Sequence, residues 1–303
     1  MPRSATHAGP WSSEILPANT GSEMTTITTS DPLASQRRFR LSRHQVANIL
    51  SHGYIWLCLF IFVAPFLALF NYSLQIGTTG VYTLSNYTYI FGSFIDNLLT
   101  SLRVSALAIS LNLLITLPAA YAIVRYEFPA KRMILSALTL PLYTPAPVLG
   151  IGLILVYNFT YHLTTSIWSV IFAMVVGTFP LMLIPIVVAM KDLPLVFEEA
   201  ALCLGATRWQ TYFRIVLPLI GPGISAGILL SFIIVFNEYL VTLFVAPPNI
   251  QTAPLRVFGL VRTAGIQNTT AALAAFMQIV SFTAVIFFFR VFGSRYLKGT
   301  YLI

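Results

Sequence analysis

Long apolar runs without a charged side chain dominate the chain. No Lys, Arg, Asp or Glu falls between Arg43 and Asp96, and none falls between Arg132 and Lys191. The second gap alone accommodates two membrane-crossing helices of about 20 residues each. The hydrophobic pattern predicts six transmembrane helices, at 54–74, 97–124, 133–157, 167–190, 219–245 and 271–292. Unbroken apolar runs favour helices over the alternating pattern of a barrel strand, so the fold class is an all-α integral membrane protein.

Composition agrees. Apolar residues make up 57% of the chain and charged residues 9%, against about 25% charged in ordinary soluble domains. So few charges cannot coat a water-soluble globule of 303 residues, but they suffice where lipid is the main solvent. The formal charge of +8 then becomes a statement about orientation, because short cytoplasmic loops hold the excess of Lys and Arg. Five arginines precede the first span (Arg3, Arg37, Arg38, Arg40, Arg43), and the 125–132 loop adds Arg125, Lys131 and Arg132. The 191–218 loop holds Lys191, Arg208 and Arg214, and the C-terminal end holds Arg290, Arg295 and Lys298. The opposite loops hold only Arg256 and Arg262. Both termini are therefore expected in the cytoplasm.

Residues 1–45 are expected to form a disordered, basic cytoplasmic tail ahead of a membrane domain at 46–303. The arginine-bearing stretch 33–52 suits a short interfacial helix or a solvated tail equally well. No cleavage site follows a short apolar segment, so the first run is expected to stay as a span. Basic patches on a soluble domain, the mark of nucleic-acid binding, are missing, so no nucleic-acid partner is expected.

An enzymatic reading fails on inventory. The four histidines (His7, His44, His52, His162) are scattered, and no metal-binding, nucleophile or dinucleotide motif is present, so neither catalytic residues nor a metal or cofactor is expected. Cys58 and Cys203, one in a span and one in a loop, cannot form a disulfide framework. There is also no phosphate-binding loop, so any ATP would be hydrolysed on another chain.

The 191–218 loop reads KDLPLVFEEAALCLGATRWQTYFRIVLP, and its pattern predicts structure. Pro194 suits the first turn of a helix, Glu198 and Glu199 sit near its positive end, and Gly205 takes the left-handed conformation that stops it. Thr207 supplies an N-cap for a second short helix carrying Trp209, Tyr212, Phe213 and Ile215. Ala200 and Ala201 leave little bulk on one face of the first helix, which suits close approach of another surface; a plain interfacial loop fits the same pattern.

Glu199-Ala200-Ala201, three residues, Gly205, nine residues, then Ile215-Val216-Leu217-Pro218 resembles the EAA signature of the permease subunits of binding-protein-dependent ABC importers. The resemblance implies the MetI-like permease fold of type I importers, with the loop as a coupling helix and Glu199, Ala200, Ala201, Gly205, Ile215, Leu217 and Pro218 as its signature positions. It also implies cytoplasmic ATPase subunits, an extracytoplasmic solute-binding protein, a second permease subunit and the inner membrane of a prokaryote.

For the solute, Phe236-Asn237-Glu238 and the following 251–258 stretch resemble spermidine/putrescine permeases, with Asn237 in place of the usual acid. Permeases for opines, amino-acid derivatives, sulfate or iron remain open on this reading, as do an ion-coupled secondary transporter and a membrane scaffold. Arg103 and Glu238 fall inside predicted spans at similar depth. They are candidates for the substrate pathway together with Asn237, either as a pair or as two separate side chains.

Overall fold

The computed structural model describes residues 43–77, 80–158 and 166–290. The expected tail up to residue 42, the charges at Arg295 and Lys298 and the far C-terminus lie outside them. Contacts divide the chain into two units, Met1–Leu57 and Cys58–Ile303. The described part of the first is the opening of helix α1 (Arg43–Ser73), so residues 43–45, assigned above to the tail, are already helical. The second unit holds every other described element.

Among the described residues, four helices are long and apolar enough to cross a membrane, and two bent pairs bring the number to six if each pair counts as one span. The four are the Leu50–Ser73 part of α1, α3 (Ile95–Arg125), α6 (Ile167–Lys191) and α13 (Asn268–Phe288). All match predicted spans to within a few residues. A short helix, α2 (Ser85–Ser93), precedes α3.

The predicted third span is two helices, α4 (Lys131–Tyr143) and α5 (Ala146–Val156), bent by 113°. Proline chemistry explains the break. Thr144 precedes Pro145 and takes an extended conformation, φ −90° and ψ 126°, because the proline ring disfavours the helical region for its predecessor. Pro147 then lies in the first turn of α5, where the missing N–H costs nothing. Pro118, Pro180 and Pro185, by contrast, lie inside unbroken helices.

The predicted fifth span also breaks, at both ends. It enters through the end of the 191–218 loop with a 67° bend, runs as α10 (Gly221–Asn237) and stops at Asn237. Glu238 is extended, φ −77° and ψ 126°, and a separate short helix, α11 (Leu240–Val245), follows. Glu238 is therefore not inside a helical span, and the similar depth expected for it and Arg103 on the assumption of an unbroken fifth helix does not follow. Helix α12 (Ala253–Ala264) completes the elements before α13.

Helix α6 is the centre of the second unit, packed against α3, α4 and α10. One apolar cluster joins Val104 and Ala108 of α3 to Ile171 and Met174 of α6 and Val235 of α10. A second, nearer the 191–218 loop, gathers Ala120, Ile123, Met182, Ile186, Met190 and Ile220. Between them Asn112 donates to Thr178 Oγ1 at 3.1 Å and accepts from Thr116 at 2.9 Å, all three fully or nearly fully buried. Satisfied in this way, the polar groups join α3 to α6 where an unsatisfied amide would be costly.

Glycine sets the approach of α10 to α6. A Cβ on Gly223 would lie 2.5 Å from the Pro185 carbonyl oxygen, and one on Gly227 would lie 3.0 Å from that of Met182. This spacing of small residues lets backbones meet. At the other end of α3 the connecting segments are tied down: Ser101 Oγ accepts from Ala253 N at 2.8 Å, and Asn97 donates to the Gln251 carbonyl at 2.8 Å.

Candidate functional site

The 191–218 loop folds as two turns of structure around Gly205. Helix α7 (Val196–Cys203) starts two residues after Pro194, with Glu198 and Glu199 in its first turn. It ends in a Schellman motif: Ala206 N donates to Ala201 O at 3.0 Å and Gly205 N to Leu202 O at 3.0 Å. That motif needs a left-handed residue at Gly205, whose φ is +88°. Thr207 then caps α8 (Arg208–Thr211) through a reciprocal capping box with Gln210, 3.2 Å and 2.8 Å. A π turn over Tyr212–Val216 and the single turn α9 (Leu217–Leu219) lead into α10.

The signature positions divide by exposure. Glu199, Ala200, Gly205 and Pro218 are exposed, Ile215 and Leu217 are half-buried, and Ala201 is buried at 6% exposure. The bulk-free face drawn above through both alanines is thus corrected. Ala201 packs inward, and the exposed residues of α7 are Val196, Phe197, Glu199, Ala200, Leu202 and Cys203, with Leu204 90% exposed just beyond it.

The buried face of α7 consists of Glu198 and Ala201. Glu198 Oε1 accepts from Arg125 Nε at 2.7 Å and lies 2.7 Å from Arg125 Nη2, while Oε2 accepts from Tyr121 at 3.0 Å. Arg125 Nη2 also donates to the Leu193 carbonyl at 3.0 Å. The pair is more than nine-tenths buried on both sides. Sequence reasoning missed it: Arg125 closes α3, and nothing local marks Glu198 rather than Glu199 as its partner far along the chain.

The substrate-pathway candidates do not form one site. Glu238 is half-buried, and its Oε1 accepts from Val241 N at 2.9 Å, which caps α11. It lines a cavity of about 220 Å³ with Pro141, Thr144, Ala146, Met174, Thr178 and Ile234. Asn237 is exposed, donates to the Ile233 carbonyl at 2.8 Å and to Ser281 Oγ at 3.1 Å, and faces a different cavity. That cavity, about 420 Å³, is lined by Leu69, Tyr239, Val257, Phe258, Met277 and Gln278 among others. Arg103 is exposed on α3 and borders neither. The ion pairs Arg125–Glu198 and Lys131–Glu127 involve neither Arg103 nor Glu238, so an Arg103–Glu238 pair is not formed.

A loop helix with an ordered glycine turn is thus set between the fourth and fifth spans of an all-α bundle. The family of binding-protein-dependent transport system inner membrane components matches residues 112–298. The chain belongs to this family. It is 34% identical over 190 residues to the molybdenum transport system permease protein ModB of Escherichia coli (strain K12), covering 58% of this chain and 83% of that one. Over 186 residues it is 27% identical to the spermidine/putrescine transport system permease protein PotC of the same strain, 61% and 70% of the two chains. Among solved structures it is similar to a bacterial ABC transporter that imports the acidic polysaccharide alginate, with a TM-score of 0.65, 17% identity and coverage of 81% and 94%. It is also similar to the inward-facing MetNI methionine ABC transporter, with a TM-score of 0.54, 16% identity and coverage of 65% and 93%. At such identities the structures speak for the fold alone.

This permease is a multi-pass inner-membrane protein of a bacterium. It is a transport subunit, not an enzyme, of an ABC importer that works with a separate ATPase and an extracytoplasmic binding protein.

Proposed function

We propose that this permease carries a cationic, polyamine-type solute, with Glu238 as the group in the pathway that receives it. The observation that carries this reading is the carboxylate itself. Glu238 is half-buried against the cavity between α4, α5, α6 and α10, and no Lys or Arg among the described residues pairs with it. A carboxylate in a low-dielectric setting without a cation is costly, and an ammonium group passing the break after Asn237 would relieve that cost.

A second reading, an oxyanion solute, is favoured by a different feature. Arg256 and Arg262 of α12 border a cavity of about 260 Å³ with Gln251 and Phe258, and paired guanidinium groups suit anionic oxygens. Similarity to the molybdenum permease points the same way.

In the same proposal, α7 docks on the ATPase through its exposed face at Glu199 and Ala200, the chain pairs with a different permease subunit, and both termini face the cytoplasm. The exposure of the apolar side chains of α1 from Leu59 to Phe62 fits a helix that meets lipid or that second subunit. The test is a competition for uptake in cells expressing the complete transporter. Spermidine and putrescine compete on the cationic reading, and molybdate and sulfate do not; the reverse order overturns it in favour of the oxyanion.

A further inference from the structure

Helix α7 is joined by the chain to α6 on one side and to α8 on the other, and it packs on α8 and the π turn, yet its buried carboxylate is directed to α3. Its inward face offers one methyl group, on Ala201, and one carboxylate, on Glu198. So little apolar surface holds a helix weakly. The stronger attachment is polar and runs to α3: Glu198 takes Arg125 and Tyr121 on its two oxygens, and Arg125 reaches past it to the Leu193 carbonyl of the connector that leads into α7.

The placement of the charges follows the helices. Arg125 is in the last turn of α3 and Glu198 is in the first turn of α7, so each stands at the helix end whose dipole favours its sign. A lysine could not reproduce the arrangement, because only the planar guanidinium presents several fixed donors at once. With both side chains more than nine-tenths buried, removing either partner leaves the other charge without its counter-ion in a poorly solvated place.

We infer that Arg125 and Glu198 are positioning residues that lock α7 to the cytoplasmic end of α3, so that movement of the loop helix passes first to α3 and through Asn112 and Thr178 to α6. The inference rests on the reading of α7 as the ATPase-docking element. α3 and α7 then move as one body, with the bend before α10 as the hinge.

Two measurements on the assembled transporter, permease with ATPase and binding protein in liposomes, test the lock. In a background with Cys58 and Cys203 replaced by serine, spin labels on cysteines replacing Glu127 and Leu204, both highly exposed, report the distance between the end of α3 and the end of α7. That distance stays the same in the nucleotide-free and ATP-bound states, and it becomes nucleotide-dependent in an Arg125→Met/Glu198→Met variant. Single substitutions leave one buried charge alone and lower thermal stability, whereas the double variant removes both charges and recovers it. Solute carried per ATP hydrolysed nevertheless remains roughly 5- to 150-fold down in the double variant, the span of ordinary couplings between sites. A nucleotide-dependent distance in the unsubstituted pair, or full transport per ATP in the double variant, overturns the lock. Docking has its own readout, co-purification of the ATPase with an Ala200→Trp variant, so the failure of one reading is told apart from the failure of the other.

Discussion

Asn237 and Glu238 are consecutive in the chain, yet their side chains line separate cavities. The helix ends between them, and the extended conformation of Glu238 turns its carboxylate away from the face that Asn237 continues. A solute path uses one of them, and the structural roles differ: Asn237 ties α10 to α13 through Ser281, while Glu238 caps α11.

Glu238→Gln therefore separates charge from structure. The amide oxygen of glutamine still accepts from Val241 N, so the cap survives and stability changes by less than about 0.5 kcal/mol. Uptake of a cationic solute falls by about 10- to 100-fold, the worth of a hydrogen bond to a charged group. Asn237→Ala does the opposite, lowering thermal stability by about 1 kcal/mol through the lost Ser281 contact while sparing the charge. Radiolabelled uptake beside melting curves in detergent checks both; wild-type uptake by Glu238→Gln counts against the cationic pathway.

Gly205→Val acts through the backbone alone. Nothing lies within 4 Å of a Cβ built there, but φ is +88°, a conformation that costs a β-branched residue about 1 to 3 kcal/mol. The Schellman turn opens, α7 loses its fixed direction into α8, and transport drops while the permease still inserts in the membrane. Gly205→Asn, which tolerates left-handed φ better, restores most of the activity. Equal loss in both variants would point to a side-chain clash with the ATPase instead.

Much of this architecture was legible in the chain because lipid imposes a simple code: long apolar runs with at most one charge each marked four helices and the two bent pairs. The loop was legible for a different reason, since Gly205, Thr207 and Gln210 are local signals whose geometry closes within a few residues. Breaks were harder. Pro145 announces a kink, but not that α4 and α5 would turn by 113°, because the angle depends on what α6 and α11 offer each helix to pack on. Nothing around Glu238 resembles a helix breaker, and the break there is held by its own carboxylate on Val241 N. The Arg125–Glu198 pair was invisible for a third reason: it joins residues that only the tertiary fold brings together.

Gly223→Ala is expected to be the most damaging single methyl group in the membrane domain. Its Cβ would meet the Pro185 carbonyl oxygen and the Ala189 Cβ, each at 2.5 Å, and backbone cannot move aside as a flexible side chain would. Forcing α10 from α6 costs about 1 to 3 kcal/mol or more. At Gly152, where nothing lies within 4 Å, the same substitution is harmless or slightly stabilising, by up to about 1 kcal/mol. Thermal melting of the two purified variants gives the comparison, and equal melting temperatures would mean that the close crossing relaxes at no cost.

Orientation has the simplest test. On the orientation proposed from the charge asymmetry, the 191–218 loop is cytoplasmic and Gln251, at the other end of the bundle, is outside. Leu204 and Gln251 are both exposed, so single cysteines at these positions, in a background with Cys58 and Cys203 replaced by serine, are open to a membrane-impermeant maleimide. In intact spheroplasts the cysteine at 251 reacts and the one at 204 does not; after lysis both react. Labelling of position 204 from outside would invert the topology. It would also remove the docking face of α7 from the side where ATP is found, so the coupling reading depends on this result more than on any substitution within the loop.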